Sequence, residues 1–595
     1  MLSSKSIANF IMISMLTICY KNAKAQSPKE KELLTQTSET ADMMINYQQD
    51  IAAINSFYSP VRENFRYRNS GNAAQSSPEQ LQRLLEINAQ YLKQLADKDF
   101  AGMGINGKVD YVLLKRDIEA AMKVLAAEKK EYRIISNYIP FAEKIYALEK
   151  GRRRGAAVDG QATATVYNSI IRELDSTMSV FHKLQSLDMT IAVRLQLSIE
   201  GLKLRLKNVY DFYDGYDPLF SWWIPEPNKL LTDKLTAFAI EAKAKGKIKT
   251  TQKEDKSGIV GVPIGNDELL RQLKVEMINY TPEELIAIAN KEFAWCDKEM
   301  LKASTAMGFG SNWKQALEKV KNSYVPAGQQ PKMIMELYNK SLDFIKGNDM
   351  ITIPPLAEET WGMSMMSPER QLLNPFFLGG KEIIISYPTS TMSHADKLMS
   401  MRGNNPYFST PTVQHELLPG HNLQYFMNSR SKAYRNFDTP FWTEGWSLYW
   451  ELLLYDKGFA ASPEEKVGML FWRMHRCARI IFSLNYHLGD WTPQQCIDFL
   501  VDRVGHERAN AEGEVRRSFT GGYSPLYQVA YLIGGMQFYA LEREMVGSGK
   551  MSMKAFHDQV IKENNMPVEM VRAILLNQDI DKNHQTKWRF YHSDL

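Results

Sequence analysis

The chain has 595 residues, of which 44% are hydrophobic, 24% charged and 11% aromatic. That balance excludes low-complexity, collagen-like and disordered classes and supplies material for a large core. With 72 Lys and Arg against 68 Asp and Glu, the net charge of +4 offers no broad basic field for nucleic acid.

The chain begins with the three parts of a secretory signal peptide in their usual order. Lys5 supplies the positive start, Ile7 to Ile18 the apolar run, and Ala23-Lys24-Ala25 the small-x-small cleavage pattern. The run is too short to span a bilayer as a helix. Cleavage after Ala25 removes Lys5, Lys21 and Lys24 and leaves a charge of +1. The expected location is therefore periplasmic or secreted. Lipid anchoring through Cys19 is the weaker expectation, because bulky Ile18 precedes it where a small residue is usual. Three cysteines remain, Cys296, Cys477 and Cys496, too few and too scattered for a disulfide framework or a thiolate metal site.

Helical periodicity dominates the rest. Ser76-Ser77 before Pro78 marks one helix start, and Thr281 before Pro282-Glu-Glu marks another. Ser462-Pro-Glu-Glu and Thr492-Pro-Gln-Gln repeat the signal. Gly151-Arg-Arg-Arg-Gly reads as a loop with solvated arginines, and Lys243–Asp267 as the longest linker. These breaks divide the chain into an N-terminal helical region, 26–267, and a second region, 268–595, that carries the chemistry. Both are expected to form one cleft-containing unit. The best strand is Glu382–Tyr387, bounded by Gly379-Gly380 and Pro388. Its residues Ile383 to Ser386 offer an edge for an extended peptide. The predicted fold is mainly α, with one small β-sheet in the second half. No later run of 18 apolar residues suggests a membrane span.

The chemistry centres on Gln414-His415-Glu416-Leu417-Leu418-Pro419-Gly420-His421. A zinc-binding HExxH helix presents two histidines four residues apart on one face, with the glutamate as general base. Here the second histidine is six residues on, which a straight helix would rotate by about 240°. Pro419 and Gly420 resolve the conflict if they break the helix after Leu418 and return His421 towards His415. Glu444 follows in the aromatic segment Phe441-Trp-Thr-Glu-Gly-Trp-Ser-Leu-Tyr-Trp450, where a carboxylate needs a partner or a metal. Two histidines and a glutamate leave the fourth zinc position open, which is the catalytic arrangement.

His415-Glu-Leu-Leu-Pro-Gly-His421 followed by Glu444-Gly-Trp-Ser-Leu-Tyr449 resembles a bacterial family of the zincin superfamily, catalogued as a domain of unknown function, with HExxPGH and EGWxLY motifs. The resemblance extends to Tyr280–Leu285, His487–Thr492, Tyr531–Gly534 and Phe556–Asp558, and so to most of the chain. It implies a helical, gluzincin-like metallopeptidase fold with a deep cleft, akin to the angiotensin-converting-enzyme and oligopeptidase group. It implies no substrate. Asn422 stands where the family usually has a further histidine.

The resulting expectation assigns His415, His421 and Glu444 as Zn2+ ligands and Glu416 as general base. Tyr531 is the preferred oxyanion donor and His487 a second donor. Arg516, Arg517, Tyr523 and Tyr527 are substrate-binding candidates, with Arg517 for a terminal carboxylate. His394, His475, His506 and His557 read as structural. The leading function is an exported zinc metallopeptidase acting on oligopeptides. A non-catalytic peptide-binding protein and a zinc amidohydrolase for non-peptide amides are the alternatives, and oligomeric state is left open. No GxSxG elbow, Cys–His signature or phosphate loop supports another chemistry.

Overall fold

A hydroxyl or amide side chain followed by proline starts the helices that matter most. Ser77, Thr281, Ser462 and Thr492 each cap a helix whose first residue is proline, and the last three form capping boxes with Glu284, Glu465 and Gln495. The computed structural model describes residues 38–591 apart from 61–75, 250–251, 372–375 and 521. The signal-peptide reading of residues 1–25 lies outside them.

The described chain is mainly helical. Six helices carry the site: α1 (Pro406–Glu416), α2 (His421–Asn428), α3 (Pro440–Asp456), α4 (Pro463–Leu488), α5 (Arg508–Thr520) and α6 (Tyr527–Glu542). Residues within 41–118 share one apolar core with residues within 333–580. A second core joins residues within 259–320 to α3, α4 and α6. Residues within 135–242 form a third core of their own. α3 sits between the first two cores: Trp442, Trp446 and Trp450 belong to one, Phe441 and Leu448 to the other. No described helix is long and apolar enough to cross a membrane.

The described residues form two small parallel sheets, not one. β1 (Leu187–Asp188) pairs with β2 (Gly246–Lys247), and β3 (Gly362–Met365) with β4 (Glu382–Ile385). Two-residue strands are too short to leave an alternating pattern, which is why the first sheet was not predicted.

The Lys243–Asp267 stretch is also less free than its composition suggests. It opens within a helix and β2, and it buries Ile259. Its Gly261 lies so close that an added Cβ would meet the Tyr486 hydroxyl at 2.5 Å. The Arg-rich loop needs correction too. Gly151 to Arg153 complete the helix Ala142–Arg153, and Arg152 and Arg153 both pair with fully buried Glu149. Cations belong in a last helical turn, where carbonyls concentrate negative charge.

The predicted peptide edge shifts as well. Ile384 of β4 exchanges both backbone hydrogen bonds with Leu378, at 2.8 and 3.0 Å, while β3 covers its other side. Ser386 is buried against Gln371. The outer edge is therefore the segment 376–379.

Candidate metal centre

α1 ends at Glu416, two residues before the break after Leu418 that the sequence suggests. Leu417 leaves helical geometry at φ −105° and ψ −124°, and Pro419 lacks the N–H to continue. Gly420 then folds back onto α1: a Cβ there would stand 1.9 Å from the His415 carbonyl oxygen. Only glycine allows that approach. Trp446 of α3 fixes the break by donating its indole N–H to the Pro419 carbonyl at 2.9 Å. α2 begins at His421, and the two imidazoles meet at 4.8 Å between ring centroids, almost perpendicular.

Glu444 faces both rings. Its Oε2 lies 3.4 Å from His415 Nε2 and 3.3 Å from His421 Nε2. That oxygen is buried and accepts no well-directed hydrogen bond among the described residues. Ligands about 2.0–2.1 Å from a tetrahedral zinc stand about 3.3–3.4 Å from one another. Both Glu444–imidazole separations therefore fit a shared zinc ion, as do the donor types and the orphaned oxygen. Glu416 lies beside them, 4.0 Å from His421 Nε2, with its ligand atom within the same 4.8 Å cluster as the histidines. It stands farther from His421 than Glu444 does.

Burial pushes the Glu416 carboxyl up, and the neighbouring Glu444 adds to this. Burial also opposes charge on Glu444, but the two imidazoles outweigh it and hold that carboxyl well below the usual range. His415 shows the reciprocal effect: burial pulls it down, yet Glu444 and Glu451 raise it to about 9.

Glu451 is the site residue that motif reading missed. It stands two helical turns after Glu444 on α3, with Oε1 2.7 Å from His415 Nδ1. Arg476 of α4 donates to the same oxygen at 3.2 Å. A carboxylate behind a histidine fixes its ring orientation and raises its basicity as a ligand. The signal was available: Glu444 and Glu451 are seven residues apart in an otherwise apolar helix, and so share a face.

α6 closes the site from above. Tyr527 donates a hydrogen bond to Glu444 Oε1, and the Tyr531 ring stacks parallel to His415 at 6.2 Å. The pocket, of about 260 Å3, is lined by His415, Glu416, His421, Glu444, Tyr523, Tyr527, Tyr531 and Arg517, as expected, and by Arg370, Arg476 and Arg479, which were not. Arg476 and Arg479 lie three residues apart in an apolar helix and so share a face, while Arg473 turns away to pair with Glu292.

Two candidates fall outside it. Arg516 is exposed, because it points away from the face of α5 that carries Glu514 and Arg517. His487 ends α4, packed edge-on to Tyr486 and Phe519, and burial pulls it down to about 4. His475 and His506 join their rings by a 2.8 Å hydrogen bond in the core, and His557 bonds Tyr449 at 2.7 Å. Asn422 donates to the carbonyls of Gly380 and Lys381 at 3.0 and 3.2 Å, tying down the loop beside Glu416.

No curated protein matches this chain. A candidate lipoprotein of unknown function from Shewanella oneidensis has a similar structure, with TM-score 0.61 and 17% identity over 90% of this chain and 99% of that one. A candidate lipoprotein from Colwellia psychrerythraea gives TM-score 0.52 and 15% identity over 90% and 96%. At these identities the likeness concerns the fold. A family model described as "Bacterial protein of unknown function (DUF885)" matches residues 60–575, and the chain belongs to that family.

Proposed function

We propose that this protein is an exported zinc-dependent metallopeptidase of zincin-like, gluzincin type that hydrolyses oligopeptides. The observation that carries the reading is the placement of Glu444 Oε2 at 3.3 and 3.4 Å from two imidazole nitrogens, with Glu416 alongside. His415, His421 and Glu444 would hold the zinc, which when bound supplies Lewis acidity at the scissile carbonyl.

The protein groups divide the remaining work. Glu416, its proton affinity raised by burial, takes a proton from the attacking water and delivers it to the leaving nitrogen. Gly379 makes room for it: a Cβ there would sit 2.2 Å from Glu416 Oε2. Tyr531 offers its hydroxyl to the carbonyl oxygen as negative charge develops there. Glu451 and Arg476 orient His415, and Tyr527 orients Glu444.

A peptide suits the site better than an isolated amide. Leu378 turns both its backbone groups to Ile384, so those of Phe377 and Gly379 face the other way. They have no hydrogen-bond partner among the described residues and can pair with an extended chain. The candidate lipoprotein relatives and Cys19 keep membrane anchoring open beside release into the periplasm. Metal analysis of the purified protein together with digestion of a mixed peptide library tests the proposal. About one zinc per chain with metal-dependent cleavage supports it, and zinc without cleavage turns the reading to a binding protein.

A further inference from the structure

The wall of the pocket beyond Tyr531 is unusually cationic. Arg370, Arg476, Arg479 and Arg517 line the pocket, against only two lining carboxylates, Glu416 and Glu444. Two more carboxylates sit behind the arginines and hold them from that side. Glu451 accepts from Arg476 at 3.2 Å, while Glu514 accepts from Arg479 at 2.7 Å and pairs with Arg517. Gln528 donates to Glu514 at 2.8 Å and keeps it in place. A guanidinium has five N–H donors, so this support uses only part of Arg476 and of Arg479. Arg476 Nε and Arg479 Nη1 are buried with no partner among the described residues.

Within the protein these charges balance, so any excess would come with the metal. Four arginines face four glutamates, and the zinc of the proposed function would add two positive charges with nothing to offset them. An anionic ligand supplies the balance, and a carboxylate matches the planar fork of arginine.

Its location is set by layers of side chains. Tyr531 stacks on His415, and the guanidiniums of Arg476 and Arg479 lie over the Tyr531 ring at 4.7 and 4.4 Å. Beside them Arg517 lies 5.6 Å from the Tyr523 ring, which stacks on Tyr527 at 4.4 Å. The cationic wall is thus one side-chain layer from the metal ligands. An extended peptide advances about 3.3–3.6 Å per residue, so a carboxylate one or two residues past a scissile bond reaches it. At about 260 Å3 the pocket is below the usual ~300–1,000 Å3 of ligand sites, which suits the end of a chain.

We propose that Arg476, Arg479 and Arg517 form a subsite for the free C-terminal carboxylate of a short peptide, making this protein a carboxyl-end exopeptidase. The inference rests on the peptidase reading above and names its substrate class.

The test separates the two. A mixed library of N-acetylated tetrapeptides lacking Asp and Glu is prepared as free acids and as C-terminal amides. Zinc-loaded Glu416→Gln protein is incubated with each, and retained peptides are counted by mass spectrometry after spin filtration. Free acids are expected to be retained at least tenfold better than amides, and Arg517→Gln in the same background should cut that preference at least threefold. Equal retention of acids and amides by the Glu416→Gln protein overturns the inference, whether or not the arginine variant folds. The parent enzyme is then given the free acids and the amides in parallel. Acid preference without cleavage leaves the carboxylate subsite standing and removes the peptidase reading. Cleavage of acids and amides alike leaves the peptidase and removes the subsite.

Discussion

Gly445 of α3 and Gly534 of α6 meet face to face where the two helices cross. A Cβ on Gly445 would lie 2.6 Å from the Gly534 carbonyl carbon, and one on Gly534 would lie 2.2 Å from the Phe441 carbonyl oxygen. This backbone approach lets Tyr527 and Tyr531 reach down to Glu444 and His415.

Gly534→Ala should therefore act on stability and on the site together. Overpacking at a tight crossing costs about 1–3 kcal/mol. The expected outcome is a lower denaturant midpoint with weaker zinc binding. An unchanged midpoint would mean that the helices separate without strain.

Glu444→Gln keeps the shape of the side chain and removes its charge. Zinc affinity, measured by competition with a chelator, should fall at least tenfold, or about 1.4 kcal/mol. Unchanged affinity with a lowered melting temperature would make Glu444 a structural residue.

Glu451→Gln separates support from ligation. Loss of a carboxylate behind a ligating histidine typically weakens metal binding or activity by about 10–100-fold. The variant should still bind zinc, more weakly than the parent and more tightly than His415→Ala. Affinity equal to that of the parent would leave Arg476 as the only reason for that carboxylate.

Glu416→Gln should retain zinc and fold while losing hydrolysis, since an amide cannot accept the proton. Retained turnover with metal would rule out the base assigned here.

Binding should also depend on pH. In the metal-free protein His415 holds its proton up to about 9, against an ordinary value near 6.5. Because that value is raised by folding, the bound proton stabilises the metal-free fold fully below about pH 6.5. The contribution fades as pH climbs through about 9. Zinc must displace the proton, so its affinity should rise by about tenfold per pH unit below about pH 9. Chelator competition at pH 6, 7 and 8 checks the slope. A flat profile would exclude His415 as a ligand.

Much of this architecture was legible before folding. Helix starts at Pro78, Pro282, Pro463 and Pro493 follow from local capping, which needs no tertiary information. The return of His421 to His415 was legible because proline and glycine state their backbone consequences locally. Glu451, Arg476 and Arg479 were not singled out, since a charged residue in an apolar helix declares burial but not its partner. His487 failed for the opposite reason: a histidine near a family motif was given a role that only its distance from the pocket could refuse. The Leu378 bridge to Ile384 joins segments across a chain reversal, and no periodicity announces which edge of a short strand stays open.

The break at 417–420 has a mechanical consequence. His415 belongs to the last turn of one helix and His421 to the first turn of the next, so an ion held by both would act as a rivet between two separate rods. α2 has eight residues, too few to persist without anchorage. Its other fastenings are buried Leu423, the Asn564 side chain donating to the Asn428 carbonyl at 3.0 Å, and the side-chain bonds of Asn422 and of Gln424, which reaches the Thr443 carbonyl at 2.9 Å and the Ser447 hydroxyl at 3.1 Å. Stripping the metal should therefore loosen α2 first, seen as faster amide exchange over residues 421–428 while α3, locked between two cores, keeps its protection.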